Sequence, residues 1–490
     1  MSRTVLFRCD ASPEIGAGHV VRCLALAETM ADVGYEPVFL SAEGTSATVP
    51  AILKSGFPSI SVVAGEPGAA EATLHGLVPA HAAVVDSYRL GVEAECALHR
   101  IADLTLAIDD SPSRRHDVDF VVDSTPGRTA ADYEGLVSPA TRVLAGGRHA
   151  FVHRAWREGR QSPTTRLFEN APVRILVSMG STDPHDATSH VVEAVRAANI
   201  DADVDIVLGP KAAHLERVRA RSVGRVTLHV EPDDFPALAR AADLAVGATG
   251  SSIFERALTS LPSLVIPLFD NQFDAAAALE KLGCAEVVAP GDLTDPALLG
   301  AKIAALAKDV ERRRRLSYAA AQLCDGRGAM RVLVLFAGKI VASGGAVVNL
   351  RLCEQDDRDW LLELQRLPET RRFARNPSIP TPEEHARWYD DVMTGTDKIL
   401  AILLCDGERC GFVRLDRRSN GPTPIFEASI AVAPRFHRRG IGAAGLRLAR
   451  QLAPGAVIDA AVHSDNLASR ALFVRAGYVS CGALYRSTPQ

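Results

Sequence analysis

What the chain lacks narrows it first. Its nine cysteines (Cys9, Cys23, Cys96, Cys284, Cys324, Cys353, Cys405, Cys410 and Cys481) form no C-x-x-C pair, and their number is odd. Neither a disulfide framework nor a zinc site is expected, and reduced, buried thiols are. No apolar run approaches the ~20 residues of a membrane span. Met1 leads straight into an apolar strand with no basic region and apolar stretch of signal type, so the expectation is a cytoplasmic protein with no membrane association. Positive charge is in no surplus: 54 Lys and Arg stand against 59 Asp and Glu, a net charge of −5. That gives no footprint for nucleic acid. No internal repeat is visible. What is present, 47% hydrophobic and 23% charged residues, is the make-up of a globular protein. The 490 residues exceed one ordinary core and call for about three domains.

The most informative stretch is Arg8–Leu26, R-C-D-A-S-P-E-I-G-A-G-H-V-V-R-C-L-A-L. The apolar run Thr4–Phe7 reads as a buried strand. A loop with Pro13, Gly16 and Gly18 follows, then a helix from about His19. That places His19 in the first turn, among unpaired N–H groups and the positive dipole end, where anions are favoured. Histidine is also the side chain most easily used as a base near neutral pH. Gly-x-Gly after a strand is otherwise only a tight turn, and a lone histidine there only a cap.

Strand and helix signals alternate through the first third, with strands at Val5–Arg8, Pro37–Leu40, Ser59–Val63, Ala83–Asp86, Leu104–Ile108 and Phe120–Val122 and a helix at Val92–Ile101. Alternation implies a parallel sheet covered on both faces. Asp86, Asp109 and Asp110 end strands, where ligands bind in such sheets; as single residues they read equally as caps and turns. A second unit of the same style starts near Val173. In it, Gly180-Ser181-Thr182-Asp183-Pro184 offers N–H and hydroxyl donors to a diphosphate, with Asp183 as helix N-cap and Pro184 at the first position. Gly247–Gln272 adds a loop Gly250-Ser251-Ser252, a carboxylate at Glu255 able to accept two ribose hydroxyls, and the amides Asn271 and Gln272. Asp117-x-Asp119 spells a metal motif but reads as surface, and no metal is expected. The basic run Arg312–Arg315 reads as a solvated helix face.

R-x-D-A-S-x-x-I-G-x-G-H-V-x-R-C-L-x-L-A resembles the opening of the UDP-sugar hydrolases of pseudaminic acid biosynthesis, which release UDP from UDP-2,4-diacetamido-2,4,6-trideoxy-β-L-altropyranose. The D-S-Y at Asp86–Tyr88, I-D-D at Ile108–Asp110, Gly247–Gln272 and D-G-R-G-A-M-R-V at Asp325–Val332 resemble other segments of that family, with Phe254 where a Trp is usual. The resemblance implies a GT-B pair of Rossmann-type domains. It also implies His19 as catalytic base with Asp10 to orient it or the sugar. The UDP-linked amino sugar would meet Gly16, Gly18, Arg22, Asp86, Tyr88, Gly180–Asp183, Gly250–Ser252, Glu255, Asn271 and Gln272.

From about residue 350 the style changes. Ile399–Leu404 and Arg409–Arg414 read as a hairpin around Asp406-Gly407. E-A-S-I-A-V-A-P-R-F-H-R-R-G-I-G-A-A-G is then strand, basic glycine loop and helix, whose N–H groups can cradle a pyrophosphate. This segment, with D-N-L-A-S-R-A-L-F-V-R-A-G-Y at Asp465–Tyr478, resembles the GNAT acetyltransferases. The resemblance implies an α+β domain binding acetyl-CoA as co-substrate through Ile430, Val432, His437, Arg438, Arg439, Gly440, Gly442, Ala443, Asn466 and Ser469. Two positions depart from the family: His437 replaces a Gln or Arg, and Phe473 replaces the tyrosine that protonates the leaving thiolate. Tyr478, Tyr485, Ser469 or water would then take that role. Glu427 could take the amine proton, or be only a charged strand-end residue. Arg371–Tyr389 resembles GNATs acting on nucleotide-linked amino sugars, with Asn376, His385 and Trp388 toward the acceptor; His385 and Trp388 read equally as one amphipathic helix face.

The expected organisation is therefore an α/β, GT-B-like pair of Rossmann-type halves, 1–155 with the histidine loop and 156–337 binding UDP, then a linker at 338–348 hinged at Ser343–Gly345 and an α+β GNAT domain at 349–490. The function read from it is a bifunctional enzyme that N-acetylates the 4-amino group of a UDP-amino sugar and then hydrolyses the product to UDP and free sugar. Two alternatives stand beside it: a GT-B glycosyltransferase with an accessory acetyltransferase, and a non-catalytic nucleotide-sugar-binding protein with a degenerate GNAT domain.

Overall fold

The computed structural model of the chain describes residues 3–12, 15–166, 168, 172–419, 421, 423–482 and 484–489; Met1 and the loop residue Pro13 lie outside them. The chain divides into two compact units, one of Thr4–Ala27 and Pro37–Ala329, the other of Met330–Gln490 together with Glu28–Glu36 and the N-terminal residues.

The larger unit holds two sheets. The first has strands β1 (Thr4–Cys9), β2 (Glu36–Ala42), β3 (Ser59–Val62), β4 (Ala80–Asp86), β5 (Ala102–Ile108), β6 (Phe120–Asp123) and β7 (Arg142–Ala145), in the order β3-β2-β1-β4-β5-β6-β7. β7 carries no strong strand pattern and was not expected. The second has β8 (Val173–Ser178), β9 (Ala202–Leu208), β10 (Val226–Val230), β11 (Leu244–Ala248), β12 (Ser263–Ile266) and β13 (Glu286–Val287), in the order β10-β9-β8-β11-β12-β13, with every neighbouring pair parallel. Strands such as β1, β4 and β11 are apolar on consecutive residues because helices cover both faces. Ile175, Val177, Val246 and Ile266 belong to one core cluster of the second sheet, Leu176, Ala245 and Val265 to another. This doubly wound arrangement puts the loops that follow β1, β4, β5, β8, β11 and β12 off the carboxyl ends of the strands, where open α/β sheets bind ligands.

Helix α1 runs from Gly18 to Ala31, as the glycine loop foretold. The helix expected from Pro184 begins instead at Ala187. Asp183 sits at a positive φ of 37° and reaches forward to accept from Ala187 N and Thr188 N, 2.9 Å each. It satisfies the helix start, but from outside it, so Pro184 is not the first helical residue. The basic run Arg312–Arg315 is only partly solvated: Arg313 is buried and donates to the carbonyls of Leu306 and Phe168, both at 3.1 Å.

The smaller unit contains an eight-stranded sheet, β14 (Lys339–Val341), β15 (Val347–Leu352), β16 (Lys398–Cys405), β17 (Glu408–Ser419), β18 (Ile425–Val432), β19 (Val457–Ala461), β20 (Val479–Cys481) and β21 (Leu484–Ser487), in the order β14-β15-β16-β17-β18-β19-β21-β20. The stretch expected as a linker is part of this sheet. β14 pairs antiparallel with β15, and Ala342 N donates to Ala346 O across Ser343–Gly345, so those residues turn a hairpin rather than a hinge. β18 and β19 pair in parallel only over Ile425–Glu427 and Val457–Asp459; past Glu427, β18 has no partner on that side. Within the same unit, the Tyr35 hydroxyl donates to Gln451 O at 2.9 Å. Among the described residues, no helix is long and apolar enough to cross a membrane.

Candidate active site

β1 and β4 are neighbours, with Cys9 opposite Asp86, so the loop after β1 and the end of β4 converge. Gly16 has φ 82°, a conformation that favours glycine, and closes the loop by donating to Ser12 O at 2.8 Å. The chain then enters α1, and His19 comes to lie against Asp86. Their Nδ1–Oδ1 separation is 2.5 Å, with the carboxylate fully buried and the imidazole side chain 9% exposed. A carboxylate only accepts, so Nδ1 carries a proton toward Asp86, and Nε2 is the ring nitrogen not engaged by it.

Arg22, one turn further along α1, secures the carboxylate. Its Nε and Nη2 donate to Asp86 at 2.5 and 2.6 Å, and its Nη1 bridges to both oxygens of Asp110 at 2.7 and 2.8 Å. Burial alone would raise Asp86, but Arg22 and His19 outweigh it and hold the carboxyl well below the usual range. Tyr88 completes the cluster. It meets the His19 ring edge-on at 4.7 Å between centroids and donates to Asp110 Oδ2 at 2.8 Å. Asn271, from the second sheet, donates to the Tyr88 hydroxyl at 3.1 Å. The residues expected from the loop after β1, from D-S-Y, from I-D-D and from the Asn271 segment are thus brought together.

Asp10 is not the orienting partner of His19. It accepts from Arg8 Nη1 at 2.6 Å and from Ala42 N at 2.7 Å, on the β2 side. The oxygen that orients the histidine is that of Asp86. Asp117 and Asp119 do not form a metal pair: Asp117 is exposed beside Cys96, while Asp119 accepts from Thr105 N at 2.8 Å. Among the described residues, no group of three or more His, Cys, Asp or Glu is placed to hold a metal ion.

The nucleotide motifs lie in the second sheet's loops. Gly180 has φ 95°, and the N–H groups of Gly180, Ser181 and Thr182 have no acceptor among the described residues, while Ser181 O and Thr182 O tie the loop to Gly209 N and Ala213 N. The N–H groups of Gly250, Ser251 and Ser252 are open in the same sense. Gln272 lies beside this loop, about where a side chain on Gly250 would point, and accepts from Leu268 N at 2.9 Å, leaving its Nε2 to donate. The Glu255 carboxylate has no hydrogen-bond partner among the described residues, and burial pushes its pKa up to about 7, with Arg256 and His153 only partly compensating. Arg256 is turned away, onto Ala248 O and Ser252 Oγ at 2.8 and 3.0 Å. Phe254, where Trp was the family's choice, is buried in the core.

In the smaller unit, Ile430 and Val432 stand on the part of β18 beyond its pairing with β19. His437 Nε2 donates to Val432 O at 2.8 Å, which fixes the loop's entry. Arg438 and Gly440 both take positive φ, 61° and 79°, and a side chain on Gly440 would strike Ser343 Oγ. The N–H groups of Arg438, Arg439, Gly440, Ile441, Gly442 and Ala443 have no acceptor among the described residues, the first bond being from Ala444 N to Gly440 O. The helix Ile441–Leu452 follows. Six open amides at a helix start can cradle an anion. Asn466 caps the helix Leu467–Arg475 by accepting from Ser469 N at 3.0 Å.

Three expected roles in this unit change. His385 is buried, not turned to a ligand: it lies on the inner face of the helix Pro382–Thr394 with Tyr389 and Val392, and its Nε2 donates to Arg358 O at 2.8 Å. Burial lowers its pKa, as expected for a core histidine. Glu427 is held by Arg375 and Arg418, one guanidinium on each oxygen. Burial opposes them, but the two arginines keep the carboxyl below its usual range, which makes it a poor base as it stands. Phe473 is buried between the rings of Tyr478 and Tyr485, at 5.2 and 5.6 Å.

Residues 348–479 match the family model of the acetyltransferase (GNAT) domain. The chain is 22% identical over 294 residues to the UDP-2,4-diacetamido-2,4,6-trideoxy-beta-L-altropyranose hydrolase of Campylobacter jejuni, covering 57% of this chain and 97% of that one, a distant homology. It is 26% identical over 199 residues to the spore coat polysaccharide biosynthesis protein SpsG of Bacillus subtilis, covering 40% of this chain and 58% of that one. An uncharacterised protein of Methanocaldococcus jannaschii is 22% identical over 276 residues, 54% of this chain and 55% of that one. The chain thus spans little more than half the length of these last two. Among solved structures, MurG of Acinetobacter baumannii matches 67% of this chain and 97% of its own at a TM-score of 0.50 and 15% identity, which shows the GT-B fold. A GT-B-like pair of Rossmann-type domains is here joined to a C-terminal GNAT domain.

Proposed function

We propose that this chain hydrolyses UDP-2,4-diacetamido-2,4,6-trideoxy-β-L-altropyranose to UDP and free sugar, and acetylates the 4-amino group of the UDP-linked precursor with acetyl-CoA. The observation that carries the reading is the His19–Asp86 pair: an imidazole whose Nδ1 proton is fixed by a buried carboxylate, which in the neutral ring would leave Nε2 as the base. Water is a weak nucleophile and needs a base of this kind. In the proposed step, water attacks the anomeric carbon and gives a proton to His19 Nε2, and the bond to the phosphate oxygen breaks. UDP departs as an anion, so its release needs charge stabilisation more than a strong acid. The open amides of the Gly180–Thr182 and Gly250–Ser252 loops suit that task. Glu255 suits the ribose: two hydroxyl donors would satisfy a carboxylate that the protein leaves unpaired. Tyr88 and Asn271 meet beside His19 and would orient water or sugar.

For the second activity, the amides of Arg438–Ala443 fit the pyrophosphate of acetyl-CoA, and the gap beyond Glu427 between β18 and β19 fits an extended pantetheine arm. The amine attacks the thioester carbonyl, the C–S bond breaks to give a thiolate, and the proton lost from the nitrogen passes through solvent to that sulfur, releasing CoA. Incubation with UDP-4-amino-4,6-dideoxy-AltNAc, with and without acetyl-CoA, tests the whole reading. Acetylated UDP-sugar and then UDP should form only when acetyl-CoA is present. UDP release that requires an added acceptor would favour a glycosyltransferase, and absence of both products would favour a binding protein.

A further inference from the structure

Behind the histidine site lies a second buried charged cluster. His116, in the loop between β5 and β6, is wedged between two carboxylates: its Nδ1 lies 2.7 Å from Glu95 Oε1 and its Nε2 3.2 Å from Asp109 Oδ2. All three side chains are at most 1% exposed. Tyr133 donates to the same Asp109 oxygen at 3.2 Å and to Asp123 Oδ2 at 3.0 Å, and Arg114 lies 3.5 Å from the other Asp109 oxygen. Glu95 also accepts from Asp117 N at 2.8 Å. Asp109 is followed directly by Asp110, the residue that holds Arg22 and Tyr88. Asp109 and Asp110 are adjacent just past β5, so the bonds of Asp109 to His116 and Tyr133 and those of Asp110 to Arg22 and Tyr88 hold one short piece of backbone.

We propose that His116 is a positioning residue for the hydrolytic site: as an imidazolium it holds Asp109 inward, and thereby sets Asp110, Arg22 and Tyr88 around the His19–Asp86 pair. The inference rests on the hydrolase reading. A cation placed between two buried carboxylates offsets the cost of burying them, and His116 stands in that place. Burial disfavours the charge on His116, but the hydrogen bonds it donates to Asp109 and Glu95, with their charges, outweigh it and push its pKa up to about 9. The groups facing it are Glu95 from the helix Val92–His99, Asp109 just after β5, and Tyr133 from the turn Ala130–Tyr133. Tyr133 and Tyr88 are both pushed above the usual phenol range, Tyr133 by burial and by Asp123 and Asp109, Tyr88 by burial and by Asp110. Neither phenol titrates near the imidazolium.

The experiment is kcat against pH for UDP release by the full chain, with ¹⁵N NMR of the histidine side chains and UDP affinity measured alongside. The wild type should lose kcat above a pH of about 9 while UDP Kd stays constant, and the His116 signal should titrate on that same limb. His116→Gln keeps a donor but no charge. It should lower kcat by about 10- to 10²-fold, the scale of a small misplacement of reacting groups, leave UDP Kd unchanged and abolish the alkaline limb. Tyr133→Phe, which keeps the ring, should lower kcat less and leave the limb in place. An alkaline limb that persists in His116→Gln, or a His116 signal that titrates near the ordinary histidine value, would overturn the proposal. If His116→Gln does not fold, the wild-type limb and NMR titration decide alone. A wild type that releases no UDP from the diacetylated sugar refutes the hydrolase reading instead, a failure distinct from that of His116.

Discussion

Replacing His19 by Asn separates catalysis from binding and from folding. His19 and Arg22 tie Asp86 by three bonds, two of them from Arg22 at 2.5 and 2.6 Å. Removing the imidazole therefore leaves the buried carboxylate ionised and paired, at the loss of one hydrogen bond to a charged group, about 1.5–3 kcal/mol. The lost base is a different matter. General-base help is commonly worth ~10²–10⁴-fold, or about 3–5 kcal/mol on the barrier. His19→Asn should thus fold with a melting temperature only a few degrees lower and release UDP ~10²–10⁴-fold more slowly. UDP binding should change little, because the open amides and Glu255 belong to the second sheet. Acetyl transfer by the other unit should be untouched. The assays are enzymatic UDP detection, calorimetric titration with UDP, and thiol release from acetyl-CoA. Near-wild-type hydrolysis would rule out the base. A rise in Kd large enough to account for the whole loss would recast His19 as a binding residue.

Asp86→Asn keeps the shape but lets an amide donate toward His19 Nδ1, moving the imidazole proton to Nε2. UDP release should fall ~10²–10⁴-fold, and a variant with unaltered kcat would show that the tautomer is immaterial. Glu255, with a pKa of about 7, must be ionised to accept two ribose hydroxyls. Affinity for uridine, which has no phosphate of its own, should rise with pH from about 6 to about 8 and become flat in Glu255→Gln; a pH-independent wild type would refute the ribose role. UDP release should survive EDTA, since loop amides are proposed to carry the diphosphate; complete loss restored by magnesium or manganese would overturn that account.

The legible part of this site was the local part. The glycine loop, the helix start and His19 in its first turn follow from one contiguous stretch, and β1 and α1 fall where that stretch puts them. Partners brought in by topology were not legible. Asp10 stands nine residues before His19 in sequence, yet it bonds back to Arg8 and Ala42, while Asp86 reaches His19 because β4 lies beside β1 with β2 and β3 intervening in the chain. His116 was missed for the same reason: nothing around S-R-R-H-D shows that Glu95 and Asp109 will close on it. His385 shows the limit of helix patterning, since an i, i+3, i+4 face with Trp388 and Tyr389 serves a core or a ligand equally until the neighbouring sheet is known. Ser343–Gly345 carried the composition of a hinge, and only the pairing of β14 with β15 shows it to be a turn.

The segregation of labour between strand and loop has an evolutionary consequence. The interiors of both parallel sheets ask only for apolar volume, and Val, Ile and Leu exchange there at little cost. The groups proposed to meet UDP and sugar stand in loops off the strand ends and in the first turns of the helices that follow. Such a chain can drift to the 22% identity that separates it from its Campylobacter jejuni relative while the scaffold stays foldable at each step. Divergence in substrate would then be written in the loops after β1, β4, β8, β11 and β12, and the strands between them would record only elapsed time.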